Sequence, residues 1–215
     1  MNVLVACEFS GIVRDAFRAK GHNAWSCDLL PCEADARWHY QGDFRRLFGQ
    51  FMARHRPEGM PTPDRWDMII THTPCTRLTN SGVRWLHKPP SGKTLPQMWR
   101  EFDEGVVLFK WLEGKAPKLC RENPIPHKYA RAEIGMYNQL IQPWMFGHKE
   151  MKATCFWLDG LPKLVPTDIV GPPPIDKADR KAWQVVHRAS PGPNRWKERS
   201  RTRKGIADAM AEQWG

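Results

Sequence analysis

The sequence lacks any apolar run that approaches the length needed to cross a bilayer. Its opening stretch, MNVLVACEFSG, is apolar for too few residues to be a signal peptide. It also has no internal repeat. We therefore expect a cytoplasmic protein with no membrane partner. A length of 215 residues is enough to bury a core and suits one domain over residues 1–215.

The sequence also lacks the cysteine patterns of disulfide scaffolds and zinc sites. Its 6 cysteines include no CxxC pair, and several lie inside apolar, strand-like runs, which is typical of reduced thiols. The spacing of His22, Cys27, Cys32 and His39 matches no usual zinc pattern. The sequence therefore predicts no metal.

Acidic residues are scarce relative to basic ones. The chain has 33 Lys and Arg against 23 Asp and Glu, a formal net charge of +10. A small protein with this excess is suited to a polyanion, because neutralised phosphates release counterions. The basic C-terminal segment NRWKERSRTRKG also carries a tryptophan that could stack on a base. Nucleic acid is the expected partner, and the candidate contacts are Arg77, Lys88, Lys93, Arg199, Arg201 and Arg203.

What is present is an alternation of short apolar runs with helical patterns. NVLVAC, NAWSCDLL, RWDMIITHTP, PKLCRENP and KATCFWLDGLP read as strands, most of them unbroken as in a sheet buried on both faces. GIVRDAFRAK, QMWREFDEGVVLFKWLEGK and GIADAMAEQWG have helical periodicity. The segments 124–146 and 165–183 show weak periodicity, and we expect the second to be an irregular surface excursion. The pattern predicts an α/β fold with a mostly parallel sheet and helices on both faces.

Candidate functional residues follow the ends of the predicted strands. They are the turn from Glu8 to Gly11, then Asp28, Cys75 and Glu122. Because the carboxyl ends of parallel strands share one edge of the sheet, these residues can converge on one crevice. The glycine turn opens a helix whose first amide groups we expect to be offered to a ligand carboxylate or phosphate.

The order of these motifs resembles that of the DNA cytosine methyltransferases that act at ring carbon 5. The similarity covers about residues 3–125, and the last helix is similar to the segment that in this family packs beside the first motif. The motifs that carry it are FSG at Phe9–Gly11, Asp28, GDF at Gly42–Phe44, TPCTRLTNSG at Thr73–Gly82 and ENP at Glu122–Pro124. The implied fold is the Rossmann-like S-adenosylmethionine-dependent methyltransferase fold.

The resemblance also implies roles for individual residues. Cys75 is the expected nucleophile that adds to cytosine carbon 6, and Glu122 is the expected acid at ring nitrogen 3, which requires a raised pKa. Asn123 would hold the loop of Glu122. S-adenosylmethionine is the expected cofactor, and DNA with a flipped cytosine is the expected substrate. The residues expected to line the cofactor site are Phe9, Ser10, Gly11, Asp28, Asp43 and Pro74.

The chain departs from the family pattern at several positions. Val13 and Arg14 stand where further glycines are usual, and Thr76 follows the nucleophile in place of glutamine. Only about residues 125–204 remain for target recognition, so we expect short or relaxed sequence specificity. Residues 142–162 resemble a stretch of small phage methylase-like proteins, which indicates a phage-type member acting in a bacterial or phage-infected cell.

Two other interpretations remain open from the sequence. A non-catalytic nucleic-acid-binding protein could retain the fold, although such a protein needs neither Cys75 nor Glu122. A related pyrimidine carbon-5 enzyme could act on free nucleotides or use an altered donor. The charge of +10 favours a polymeric substrate over a mononucleotide.

Overall fold

The chain forms a seven-stranded sheet with the strand order β3-β2-β1-β4-β5-β7-β6. A computed structural model describes residues 1–49 and 56–215. The strands are β1 Asn2–Ala6, β2 Asn23–Asp28, β3 His39–Gln41, β4 Met68–Thr71, β5 Lys118–Pro124, β6 Gln139–Ile141 and β7 Thr154–Asp159. Strands β1 to β5 are parallel, whereas β7 runs antiparallel to both β5 and β6.

The α-helices in the described residues lie on both sides of this sheet. They are α1 Ile12–Ala19, α2 Leu95–Lys110, α3 Lys128–Ile134, α4 Lys177–Trp183, α5 Val185–Arg188, α6 Arg195–Ser200 and α7 Lys204–Trp214. Short 3₁₀ helices cover Ala36–Trp38, Phe44–Phe48, Pro63–Arg65, Val83–Leu86 and Pro143–Met145. No helix in these residues is long and apolar enough to cross a membrane.

Alternating residues of the buried strands divide the core between the two faces. Val3 and Val5 of β1 pack with α1 and α7 on one face, while Leu4 and Ala6 belong to the core on the other face. The apolar side of α2 covers the second face next to α3 and β7. The Rossmann-like α/β fold predicted from the sequence, with a mostly parallel sheet and helices on both faces, is confirmed by this architecture.

Two segments without clear periodicity contain regular structure that the sequence prediction missed. Residues 124–146 form α3 and β6, and α3 begins where His127 accepts a hydrogen bond from Ala130 N. Residues 165–183 include α4, which begins where Asp176 accepts hydrogen bonds from the amides of Ala178 and Asp179. In both cases a local cap starts a helix that is too short to show a hydrophobic period.

Candidate active site

A cavity of about 110 Å³ lies where the parallel strands β1, β4 and β5 end. Its wall comes from residues 7–10 after β1, from His72, Thr73 and Cys75 after β4, and from Glu122 and Pro124 of β5. Lys152, just before β7, and residues 199–202 complete it. The structure thus brings together Cys75, Glu122, Phe9, Ser10, Arg199 and Arg201 from the residues selected by sequence.

The loop after β1 is held in an uncommon backbone conformation. Cys7 has φ +59°, which is rare for a residue other than glycine, and Gly11 has φ +73°. Glu8 is almost fully buried and accepts hydrogen bonds from Val13 N at 2.7 Å and Arg14 N at 3.2 Å. The expectation that the first amides of α1 are free for a ligand is therefore wrong, since the protein's own carboxylate occupies them.

Arg14 fills the space beneath this loop. Its side chain is fully buried and bonds Ser26 Oγ at 3.0 Å and Cys32 Sγ at 3.3 Å. A Cβ on Gly11 would lie 2.6 Å from Arg14 Nη2, an atom that has no hydrogen-bond partner within the described residues. The left-handed backbone of Gly11 and its close contact with Arg14 both favour glycine at position 11. The Arg14 side chain packs against this loop.

The two aspartates assigned to the cofactor lie outside the cavity wall. Asp28 ends β2 and its Oδ1 accepts from Leu30 N at 2.9 Å. Asp43 forms an ion pair with Arg45 at 2.5 Å, and this pairing lowers the pKa of Asp43. Both act on Cys7: burial, and then the charges of Asp28 and Asp43, raise the pKa of Cys7 to about 12.

The loop that carries Cys75 is a compact turn. The Cys75 carbonyl accepts from Leu78 N at 2.9 Å and from Thr79 N at 3.2 Å. A Cβ on Gly82 would lie 2.0 Å from Thr76 O, so only glycine fits there. The glycine that ends the Pro-Cys motif therefore has a steric role in this chain. Pro74 is exposed and lies outside the cavity wall.

Glu122 is ion-paired with His72, a residue that sequence reasoning did not select. His72 Nδ1 and Glu122 Oε2 are in hydrogen-bond contact, and their side chains are 11% and 13% exposed. Burial would lower the pKa of His72, but the Glu122 charge and hydrogen bond and the Glu8 charge outweigh it and raise this pKa.

The same pair sets the protonation of Glu122. Burial would raise its pKa, but the charge and hydrogen bond of His72 and the charge of Lys152 outweigh burial and lower it. The expectation of a raised pKa for Glu122 is therefore wrong. The two opposite shifts favour a pair in which a His72 imidazolium faces a Glu122 carboxylate, with the shared proton on His72.

Cys75 lies in an environment that opposes ionisation overall. Burial and then the Glu122 charge raise the pKa of the Cys75 thiol, while Lys152 and Arg199 act in the opposite direction. The thiol is partly buried, but it lines the same cavity as Glu122. The two residues expected to act on one ring thus face a common space.

Asn123 points away from this cavity. Its side chain is fully buried and Nδ2 donates to Pro124 O at 2.5 Å, while Oδ1 has no partner among the described residues. Since neighbouring residues of a strand face opposite sides, Glu122 and Asn123 cannot both line the cavity. The bond to Pro124 O places Asn123 beside the backbone that follows Glu122.

The basic residues selected by sequence differ in their surroundings. Arg77 and Lys93 both form ion pairs with Glu101, and Lys88 is exposed. Arg203 binds Glu150 through two contacts of 2.5 and 2.6 Å. Carboxylates thus already hold four of these six cations, since Arg201 pairs with Glu33, and of the six only Arg199 and Arg201 line the cavity.

Residues 195–203, which we call the strap segment, run along one side of the cavity. Trp196 lies on Phe9 with ring centroids 6.1 Å apart, and its side chain is 52% exposed. Arg201 binds Glu33 through contacts of 2.9 and 2.8 Å. Phe9, expected to pack on a cofactor base, therefore contacts an indole ring of the chain itself.

Sequence reasoning missed two charged residues of the site, His72 and Lys152, and it included Glu8 only as the first residue of the turn after β1, with no role of its own. Glu8 and His72 follow buried strands, so their positions carried the same signal that selected Cys75. Lys152 precedes β7, and its approach depends on the antiparallel direction of that strand, which an apolar run does not reveal. No group of three or more His, Cys, Asp or Glu suited to a metal occurs in the part of the chain that is described.

The similarity of this chain to known proteins lies in its fold. No family model matches the chain, and no curated protein matches it. The chain is similar in fold to the crystal structure of a Spodoptera frugiperda DNMT2 mutant, with 14% sequence identity and a TM-score of 0.38. The match covers 81% of this chain and 56% of that chain, so this chain spans little more than half of the neighbour's length.

Proposed function

We propose that this protein is a cytosine carbon-5 methyltransferase that uses S-adenosylmethionine and acts on DNA. The observation that carries the proposal is the shared cavity of Cys75 and Glu122, which come from the exits of the neighbouring strands β4 and β5. Phe9 and Ser10, in the loop after β1, line the same cavity. A thiol and an acid that face one space beside such a loop suit attack on an activated pyrimidine ring.

The residues around the first loop fit a nucleoside-bearing cofactor. Asp28 has one carboxylate oxygen bonded to Leu30 N and a second without a hydrogen bond among the described residues, so it could hold ribose hydroxyls. Phe9 and Ser10 would contact the base and the amino-acid end, and Gly11, Asp43 and Pro74 would border them. Bound there, S-adenosylmethionine supplies an electrophilic methyl group. Trp196 contacts Phe9, so a cofactor base that packs on Phe9 requires this indole ring to move.

Cys75 would act as the nucleophile. Its thiolate forms the Sγ–C6 bond and pushes an electron pair into the ring, so that carbon 5 becomes nucleophilic. After carbon 5 loses its proton, the Sγ–C6 bond breaks and the electron pair returns to sulfur. We assign no residue to the removal of that proton.

Glu122 and His72 would together control the proton at ring nitrogen 3. The proposed starting state has the proton on His72 Nδ1, in contact with Glu122 Oε2, as the raised pKa of His72 and the lowered pKa of Glu122 favour. Breaking the Nδ1–H bond and forming Oε2–H leaves a neutral imidazole and a carboxylic acid, which can donate to the ring. Asn123 would hold the backbone that follows Glu122.

The substrate class rests on charge. With 33 Lys and Arg against 23 Asp and Glu, the surface favours a polyanion, and a base inside a duplex must be flipped to reach Cys75. Arg199 lies in the cavity wall with an Nε that has no partner among the described residues, which suits contact with a flipped nucleotide. The proposed phosphate contacts outside the cavity are Arg77, Lys88, Lys93 and Arg203, with Arg201 at its edge.

The proposal also covers recognition and cellular setting. Residues 125–204 contain β6 and β7 of the sheet, so little chain remains for reading sequence, and specificity should be short or relaxed. The resemblance of residues 142–162 supports a phage-type enzyme working in the cytoplasm of a bacterial or infected cell.

The test is mass spectrometry of nucleosides from DNA and RNA of cells that express the protein. We expect 5-methylcytosine in DNA from the wild type, none from Cys75→Ala, and wild-type levels from Cys120→Ala, whose thiol lies in the core away from the cavity. Equal product from wild type and Cys75→Ala would contradict the mechanism. Product found only in RNA would contradict the DNA assignment.

A further inference from the structure

Lys152 occupies a fixed position in the wall of the cavity. Its backbone amide donates to Gln142 Oε1 at 3.0 Å, and its ammonium group donates to the Arg201 carbonyl at 2.9 Å. The Ser200 carbonyl lies 3.5 Å from the same nitrogen. Lys152 is thus held at its backbone by Gln142, just before the 3₁₀ helix Pro143–Met145, and at its ammonium group by the strap segment.

The ammonium group faces both residues of the proposed chemistry. Lys152 lines the cavity with Cys75 and Glu122, and its charge acts on both of them. The other charges near Lys152 are Glu150 and Arg203, which are paired with each other, and His72, whose pKa the Lys152 charge lowers. Within the described residues, Lys152 is the cation that the structure places against both the thiol and the carboxylate without a carboxylate hydrogen bond of its own.

A thiolate at position 75 needs such a cation. Burial and the nearby Glu122 carboxylate both disfavour the negative sulfur, and of the charges that oppose them Lys152 acts more strongly than Arg199. Arg199 belongs to the strap segment, whereas Lys152 is anchored next to β7. A nucleophile that must ionise in a half-buried site requires a nearby positive charge.

We propose that Lys152 is a positioning residue whose ammonium group stabilises the thiolate of Cys75. This deepens the proposed function and rests on it for its catalytic meaning, because it concerns the state of the proposed nucleophile. In the step concerned, the Sγ–H bond breaks, the proton leaves to water and the electron pair stays on sulfur beside Nζ. When sulfur then bonds to a ring carbon, its charge moves away from Lys152.

The experiment follows alkylation of Cys75 by iodoacetamide, an uncharged reagent, as a function of pH, with mass spectrometry of the peptide that contains Cys75. Variants are Lys152→Gln, which keeps a hydrogen-bond donor for the Arg201 carbonyl, Lys152→Met and Lys152→Arg. Lys149→Met is the matched control, because Lys149 is exposed and outside the cavity wall. Thermal melting of each variant reports whether it folds.

We expect the midpoint of the alkylation profile to rise by about half to one pH unit in Lys152→Gln and Lys152→Met, so that the rate at pH 8 falls about threefold to tenfold. Lys152→Arg and Lys149→Met should keep the wild-type midpoint. A change in access to the cavity would alter the plateau rate but not the midpoint. The midpoint therefore distinguishes an effect of the Lys152 charge from a change in the structure of the cavity.

Identical midpoints in the wild type and a folded Lys152→Gln would overturn the inference, as would an equal shift in Lys152→Arg. The measurement needs no cofactor or nucleic acid. A shifted midpoint in a protein that makes no 5-methylcytosine would therefore refute the proposed function alone, and an unshifted midpoint in an active enzyme would refute only the role of Lys152.

Discussion

The ion pair of His72 and Glu122 makes the stability of the protein depend on pH in a direction that can be worked out. The perturbation is Glu122→Gln, which keeps the shape of the side chain and removes its charge. In the variant, burial still disfavours the imidazolium form of His72, but the carboxylate that outweighs burial is gone. His72 then loses its proton on folding at a pH where the wild type keeps it.

The sign follows from the two pKa shifts. The folded pKa of His72 is raised, so its contribution is fully present below the ordinary histidine pKa of 6.5 and is lost as the pH rises through the folded value. The folded pKa of Glu122 is lowered, so its contribution is present above 4.5 and is lost as the pH falls through the folded value. The pair therefore stabilises the fold most between pH 4.5 and pH 6.5.

The magnitude follows from burial. Removing one partner of a buried ion pair costs about 3–5 kcal/mol. Since the two side chains retain 11% and 13% exposure and the imidazole can lose its proton, we expect about 3 kcal/mol at pH 5.5. For a chain of this size that corresponds to a fall in Tm of about 6–12 °C. At pH 8.5, where the imidazole is neutral in the variant, the remaining cost should be about 1 kcal/mol.

Urea unfolding at constant ionic strength between about pH 5.5 and 8.5 measures this difference. Glu212→Gln is the control, because Glu212 is exposed and pairs with the exposed Lys20, so its removal should cost little at any pH. A loss for Glu122→Gln that is the same at every pH, or that grows as the pH rises, would refute the reasoning.

Two further predictions follow from close contacts near the cavity. Gly82→Ala puts a Cβ 2.0 Å from Thr76 O, so we expect a loss of about 1–3 kcal/mol in urea unfolding and a displaced Cys75 loop, whereas Gly192→Ala, with no atom within 4 Å, should be nearly neutral; equal stability of the two variants would contradict this. Addition of S-adenosylmethionine should move Trp196 off Phe9 and shift tryptophan emission to the red, and Trp196→Phe should abolish that shift; an unchanged shift in the variant would show that the indole stays in place.

The sequence allowed the sheet and the main site residues to be predicted because strand exits can be located from apolar runs. NVLVAC and RWDMIITHTP each bury a strand, and the polar residues that follow them had to meet at one edge. The face of the sheet on which each side chain lies also follows from the alternation along a strand. This alternation places Glu122 on the cavity side and Asn123 on the opposite side. The proton location on His72 could not be predicted, because it depends on a distance between two strands and on burial.

Other features depend on long-range geometry that no local pattern carries. An apolar run such as KATCFWL predicts a strand but not its direction, and only the antiparallel direction of β7 brings Lys152 to the cavity. The burial of Glu8 over the first turn of α1 likewise needs the sharp left-handed turn at Cys7. Lys152 and Glu8 thus add a basic and an acidic side chain to a site whose other residues could be predicted from the strand ends.

The strap segment contacts both halves of the cavity at once. Its indole ring covers Phe9, and the carbonyls of Ser200 and Arg201 (four and five residues after Trp196) accept the Lys152 ammonium group. A ligand that displaces Trp196 therefore acts on the same short piece of backbone that positions the cation beside Cys75. A ligand bound at Phe9 should change the affinity for a ligand beside Cys75. Because such coupling is reciprocal, a ligand beside Cys75 changes the affinity at Phe9 by the same factor.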